Sequence, residues 1–180
     1  VFRGKLLVGY TMSVTHLPDI GGAGMSSTAT DVYQEGLRIP VAKLMHAGSP
    51  DRLLFSLIRN NVRVADEVLG DIQANVTCNE VGARALLEFM DEYEVDDLAA
   101  LSDAINDHSA QTIATELRNI PDGDYPNAID IEGVSGPIRL AATVKVKGDR
   151  VGIDFTGTGG PVRASINVPL CYTRAQSYYV

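Results

Sequence analysis

A chain of 180 residues, 45% of them hydrophobic, is long enough to bury a core, which argues against a disordered segment. Its 23 acidic and 15 basic residues give a net charge of -8, and without a basic cluster this composition argues against a nucleic-acid partner. Cys78 and Cys171 are too few and too isolated for a disulfide framework or a cysteine-based zinc site, and no apolar run reaches the roughly 18–20 residues of a membrane-spanning helix. The expectation is a cytoplasmic protein with no membrane partner.

Val1-Phe2-Arg3-Gly4-Lys5 reads as the tip of a hairpin whose first strand is missing, and the chain stops inside the apolar run Ser177-Tyr178-Tyr179-Val180. Both ends suggest a segment of a longer polypeptide. Residues 5–16 alternate, with Leu6, Val8, Tyr10, Met12 and Val14 on one parity and Leu7, Gly9, Thr11, Ser13 and Thr15 on the other. The pattern predicts a half-buried strand with His16 on its apolar parity. From Leu17 to Ser27, Pro18 and the glycines predict a loop. The stretch from Asp31 to Gly48 has no helical period, and Ser49-Pro50-Asp51 then predicts an N-cap with proline at the first helical position, opening a helix over about 50–60.

Between Asn61 and Tyr93 the apolar residues Ala65, Val68, Leu69, Ile72, Val76, Ala83, Leu87 and Met90 recur at steps of three and four, predicting one long amphipathic helix or two in series, with Gly70 and Gly82 as weak points. Asp96 and Asp97 suit the first turn of a further helix that ends before Pro121-Asp122-Gly123. Ile138, Leu140, Ala142, Val144 and Val146 then alternate with a cationic parity, and Val151, Ile153 and Phe155 continue past Gly148-Asp149, a two-residue loop suited to a type II′ hairpin. A last helix is expected near Pro169. The fold class is therefore mixed α+β, with antiparallel strands flanking a helical middle section. Its segments are 1–48, 49–120 and 121–180, all within one larger domain of a multi-segment fold.

The most suggestive chemical group is Thr15-His16-Leu17-Pro18-Asp19-Ile20-Gly21-Gly22, an imidazole and a carboxylate leaving a strand end beside glycines. Such a pair is a common part of a zinc, manganese or iron site, although a catalytic zinc needs about three protein ligands. On spacing alone a partly buried structural histidine is the stronger reading. His46 and His108 read as solvated, and the acidic cluster around Asp91 to Asp97 as capping and solubility. The glycines of GGAG and TGTGG lack the Lys-Ser/Thr ending of a phosphate-binding loop and read as turns, so direct ATP binding by these residues is not expected.

Several blocks occur in an order that resembles the hydantoinase B/oxoprolinase family: His16-x-x-Asp19-Ile20-Gly21-Gly22, Asp31-Val32-Tyr33-Gln34-Glu35-Gly36-Leu37-Arg38-Ile39-Pro40, Asn60-Asn61-Val62-Arg63, Gly70-Asp71-Ile72, Pro121-Asp122-Gly123, Val151-Gly152-Ile153-Asp154-Phe155-Thr156-Gly157-Thr158 and Ser165-Ile166-Asn167. The resemblance implies a subunit or domain working with a hydantoinase A-type, ATP-binding partner in a hetero-oligomer. That partner phosphorylates a carbonyl or enol oxygen of a small-molecule substrate. Hydrolytic members then open a lactam or cyclic imide such as 5-oxoproline or a hydantoin; related members carboxylate a ketone.

The resemblance further implies a divalent metal, zinc or manganese, with His16 matching the later histidine of the family's ligand set and Asp19 auxiliary to it. The family's earlier Asn-Asp and Gly-Gly-x-His ligand segment has no match here, which leaves the remaining ligands upstream. Leu17 stands where many members carry a second histidine. Glu35 and Arg38 are charges inside an apolar block, and a guanidinium pairs well with phosphate, so Arg38 is expected to face substrate or phosphate, with a Glu35–Arg38 salt bridge as the equal alternative. The expected function is ATP-dependent cyclic-amide hydrolysis, with ketone carboxylation and a subunit-docking role for the helical section as the other readings.

Overall fold

A computed structural model describes residues 1–24 and 26–179. They form two compact units, 1–100 and 101–180. The architecture is the expected mixture of helices and small antiparallel sheets.

The first unit opens with a hairpin of β1 (Phe2–Arg3) and β2 (Leu6–Leu7), which turns at Gly4, φ 64°. Phe2 and Arg3 thus supply the strand expected to be missing. Helix α1 (Arg52–Asn61) is preceded by a second hairpin, β3 (Met45–His46) with β4 (Ser49–Pro50). Asp51, not Ser49, caps α1, because its carboxylate accepts from the Leu54 N–H at 2.7 Å while Ser49 is committed to pairing with His46. Asn60 and Asn61 close the other end by donating to the Ser56 and Leu57 carbonyls, both at 2.7 Å.

Helix α2 (Ala65–Glu92) is a single helix of 28 residues that runs through both Gly70 and Gly82. Its Val68 and Met90 are fully buried, and Ile58 of α1 is 3% exposed. Arg3 ties the opening hairpin to the far end of α2 through the Asp91 carboxylate at 2.8 Å and the Val95 carbonyl.

Between β2 and the glycine loop the chain lies along α2. Gly9 sits against Leu86, Thr11 against Gly82 with its hydroxyl donating to the Asn79 carbonyl at 3.0 Å, Ser13 accepts from Asn79 at 3.2 Å, and Thr15 from Asn75 at 2.8 Å. Positions 86, 82, 79 and 75 form one face of the helix and span about 16 Å, which the six steps from 9 to 15 cover only if the backbone is close to extended. The parity is therefore the reverse of the one expected. Small and polar residues face the helix, because Gly82 admits close approach and the Asn75 and Asn79 amides need partners. Tyr10, Met12 and Val14 are 83%, 82% and 84% exposed.

Helix α3 (Ala99–Leu117), most of it in the second unit, begins just after Asp96 and Asp97 rather than with them in its first turn, its Ala99 N–H held by the Asp97 carboxylate at 2.8 Å. A three-stranded antiparallel sheet follows in the order β5 (Gly123–Ile131), β6 (Ile138–Lys147), β7 (Arg150–Asp154). The β6–β7 turn is the two-residue Gly148-Asp149 loop, and a positive φ at Gly148 alone fits the expected type II′ form. Strand β5 is not evident in the sequence, since Pro126 argues against a central strand; at a sheet edge its missing N–H costs no ladder bond.

Register places Ile131, Ile129 and Tyr125 beside Ile138, Leu140 and Val144, with Ile153 and Val151 completing an apolar face. The face expected to be cationic is instead charge-balanced, Lys145 pairing with Asp154 at 2.9 Å and Arg139 with Asp130 at 3.7 Å. Helix α4 (Leu170–Tyr179) begins just after Pro169, as expected. Among the described residues no helix is long and apolar enough to cross a membrane.

Candidate functional site

The loop after His16 is held by one carboxylate. Asp19 Oδ1 accepts from the Gly21 N–H at 2.9 Å and the Arg63 guanidinium at 2.8 Å, and Oδ2 accepts from the Arg63 N–H. A second guanidinium nitrogen of Arg63 donates to the Gly22 carbonyl. The Asp19 side chain is 8% exposed in this clasp. The Arg63 backbone N–H first, then that of Gly21, hold its carboxyl below the ordinary value, because both stabilise the charged form.

Arg63 stands just past the end of α1, where the asparagine caps release the chain, so the clasp joins the His16–Gly22 loop to the α1–α2 junction. Two further backbone bonds cross this loop with the next one: Ala23 N–H to the Gln34 carbonyl at 2.8 Å and Leu37 N–H to the Ile20 carbonyl at 2.7 Å. The crossing needs glycine at Gly22 (φ 60°) and Gly36 (φ 132°), where a Cβ would collide with the backbone of 34–36 and of Ile20 respectively. Asp31 shapes the second loop by capping the single 3-10 turn Val32–Gln34, accepting from Tyr33 N–H at 2.9 Å.

Where the loops cross lies a cavity of about 380 Å³ lined by Gly22, Tyr33, Gly36, Leu37, Arg38 and Asn61. Arg38 places its guanidinium 5.6 Å from the Tyr33 ring centroid. Among the described residues Arg38 makes no ion pair, so the alternative Glu35–Arg38 bridge does not form; Glu35 is exposed beside the 3-10 turn.

Of the four residues singled out from sequence, Arg38 lines the cavity, Asp19 holds the loop behind it, and His16 and Glu35 are not among its lining residues. His16 is nonetheless bracketed: Thr15 before it is bonded to Asn75 and Asp19 after it to Arg63, while His16 itself is exposed. One imidazole does not make a metal site. Asp19 has its oxygens engaged by protein donors, and among the described residues no three His, Cys, Asp or Glu side chains gather. The described residues therefore do not hold a divalent ion by themselves.

Sequence reasoning misses Arg63, Asn61 and Tyr33. For Arg63 and Asn61 the signal lies in the Asn60-Asn61-Val62-Arg63 run, two amides that end a helix followed by a cation, while Tyr33 stands in the Asp31–Pro40 block. In the second unit the Asp154–Thr158 block is architectural: Asp154 accepts from Thr156 N–H at 2.9 Å and from Lys145 at 2.9 Å, and the Thr156 hydroxyl first, then Lys145 and the Thr156 N–H, hold its carboxyl well below the usual range. That bend ends β7 before Phe155. Thr158 extends the sheet by bonding both the N–H and the carbonyl of Ala141, at 2.9 and 2.7 Å.

The sequence matches the hydantoinase B/oxoprolinase family over residues 1–180. It is 34% identical over 155 residues to the caprolactamase beta chain of Pseudomonas jessenii, covering 83% of this chain and 27% of that protein. A Pseudomonas protein from strain NS671, provisionally named as one subunit of a D-/L-hydantoinase, is 29% identical over 185 residues, covering 96% of this chain and 31% of that one. The crystal structure of the ATP-dependent caprolactamase from Pseudomonas jessenii superposes with a TM-score of 0.80 at 29% identity, over 91% of this chain and 29% of the other. The chain thus spans about a third of the length of the curated relatives it matches. With the family match running over the whole chain and the fold shared with the caprolactamase structure, the chain belongs to the hydantoinase B/oxoprolinase family.

Proposed function

We propose that this chain is a segment of the metal-binding subunit of an ATP-dependent hydrolase of cyclic amides, a hydantoin, 5-oxoproline or another lactam, acting with an ATP-binding subunit of the hydantoinase A type. The observation that carries the reading is the cavity at the loop crossing, where Arg38 offers a guanidinium with no acidic partner among the described residues. Membership of the family, and relatives named as a hydantoinase and a caprolactamase, support the reaction class.

In this reading Arg38 pairs with the anionic oxygen of the ATP-activated substrate, a charge-assisted contact for which a planar guanidinium is suited. Stacking on Tyr33 orients the group. The Asp19–Arg63 clasp fixes the backbone of Gly22, which forms one wall of the cavity, and so keeps water-exposed loop motion from opening the site. Asp19 is a positioning residue here, and Glu35, next in sequence to Gly36 of the cavity wall, is proposed to act on the substrate. His16 contributes an imidazole to a divalent metal, zinc or manganese, whose other ligands lie outside residues 1–180.

The test is ring opening by the full gene product with its ATP-binding partner, measured on hydantoin, 5-oxoproline and caprolactam with and without ATP. ATP-dependent opening of at least one ring is expected, with kcat/KM about 10–100-fold lower for Arg38→Ala, the loss of one charge-assisted contact. No ATP-dependent opening, or an Arg38→Ala protein of unchanged kcat/KM, contradicts the proposal.

A further inference from the structure

The accessible surface of the chain is 13,950 Å² at 19.3 kDa. A compact monomer of this mass exposes about 8,500 Å², and two separate bodies of the sizes of its units about 10,000 Å². The excess, on the order of 4,000–5,000 Å², holds however the two units are arranged. It is apolar where it can be traced in the first unit: Tyr10, Met12 and Val14 are each more than four-fifths exposed on one side of the segment that lies along α2.

That segment has a second unmet demand. Its side chains at 11, 13 and 15 are bonded to α2, but from Tyr10 to His16 no backbone N–H or carbonyl has a hydrogen-bond partner among the described residues. A near-extended backbone with one face covered by a helix, an apolar opposite face and open edges is a strand without its sheet.

We infer that residues 8–16 are a strand of a β-sheet whose neighbouring strands come from the part of this protein's own polypeptide lying outside residues 1–180, with α2 covering one face and an apolar layer covering Tyr10, Met12 and Val14. Two observations choose this occupant over a second copy. The excess surface is larger than the roughly 800 Å² each partner gives to a standard interface, and larger than most obligate dimers bury per chain. The relatives are roughly three to four times as long as the stretch they share with this chain, 31% and 27% of their lengths, and the match to the caprolactamase structure takes in 29% of that chain. The strand ends at His16, so sheet completion also sets where that imidazole points and what stands beside it. The inference does not depend on the proposed activity.

Hydrogen–deuterium exchange on the full gene product tests it. In the full gene product the amides of 10–16 should exchange at least 100-fold more slowly than an unstructured peptide, at alternate positions if one edge is paired and at every position if both are. Fast exchange of 10–16 in the full gene product overturns the inference. So does protection that is lost on dilution as a sedimenting dimer dissociates, which would assign the edge to a second copy.

Discussion

Arg63 reaches across from the end of α1 to hold a loop more than forty positions earlier in the chain, so the consequences of losing it are local and conformational. Arg63→Ala removes the guanidinium contacts to Asp19 and Gly22 but leaves the Arg63 backbone N–H bond in place. The expected outcome is faster amide exchange across 19–24 and at least a tenfold fall in the ring-opening activity proposed for the complete protein, while circular dichroism shows α2 unchanged. Arg63→Lys, which keeps charge but not the fork, should recover only part of the activity.

The carboxyl of Asp19 is lowered in the folded state, so the clasp contributes stability that is fully present above the unfolded value and is lost as pH falls through the folded one. The loop should therefore be unaffected by pH between about 5 and 8 and loosen only below about 4. A carboxyl-carbon NMR titration of Asp19 should give a midpoint below 3.8; one above 3.8 contradicts the clasp. Gly22→Ala, at φ 60° with backbone in the way, should cost about 2–4 kcal/mol in urea unfolding, whereas Gly4→Ala, at φ 64° in open space, should cost about 1 kcal/mol. Neither the clasp nor the crossing is legible from sequence, because both join residues whose separation along the chain carries no periodic signal. What can be seen is the residue types: a carboxylate before two glycines, and an arginine after two asparagines.

At the scale of elements, periodicity locates α2 and the β6–β7 hairpin, which bury or bond according to their own repeat, while Asp96-Asp97 and Pro169 mark where α3 and α4 begin. It fails where a neighbour decides the outcome. The alternation of residues 5–16 is visible, but which parity turns inward is set by Gly82, Asn75 and Asn79 on α2, about 70 positions away. Strand β5 is hidden by Pro126 and by the absence of buried side chains along it. Truncating the buried Met90 to Ala should destabilise the first unit by about 2–5 kcal/mol, and Asp51→Ala, which removes the α1 cap, by about 1 kcal/mol, both read from urea midpoints.

For the molecule as a whole, the surface it exposes and the fraction of its relatives it spans point the same way, to a segment that is completed by further chain. We propose that His16, held between the Thr15–Asn75 and Asp19–Arg63 contacts with its own side chain exposed, supplies one ligand to a divalent metal in the complete protein. Elemental analysis of the purified full gene product beside its His16→Ala variant tests this most directly. The account predicts a stoichiometric divalent ion, zinc or manganese, in the parent protein and at least tenfold weaker retention in the variant, whose fold by circular dichroism is unchanged. Equal metal content in the two proteins would contradict it.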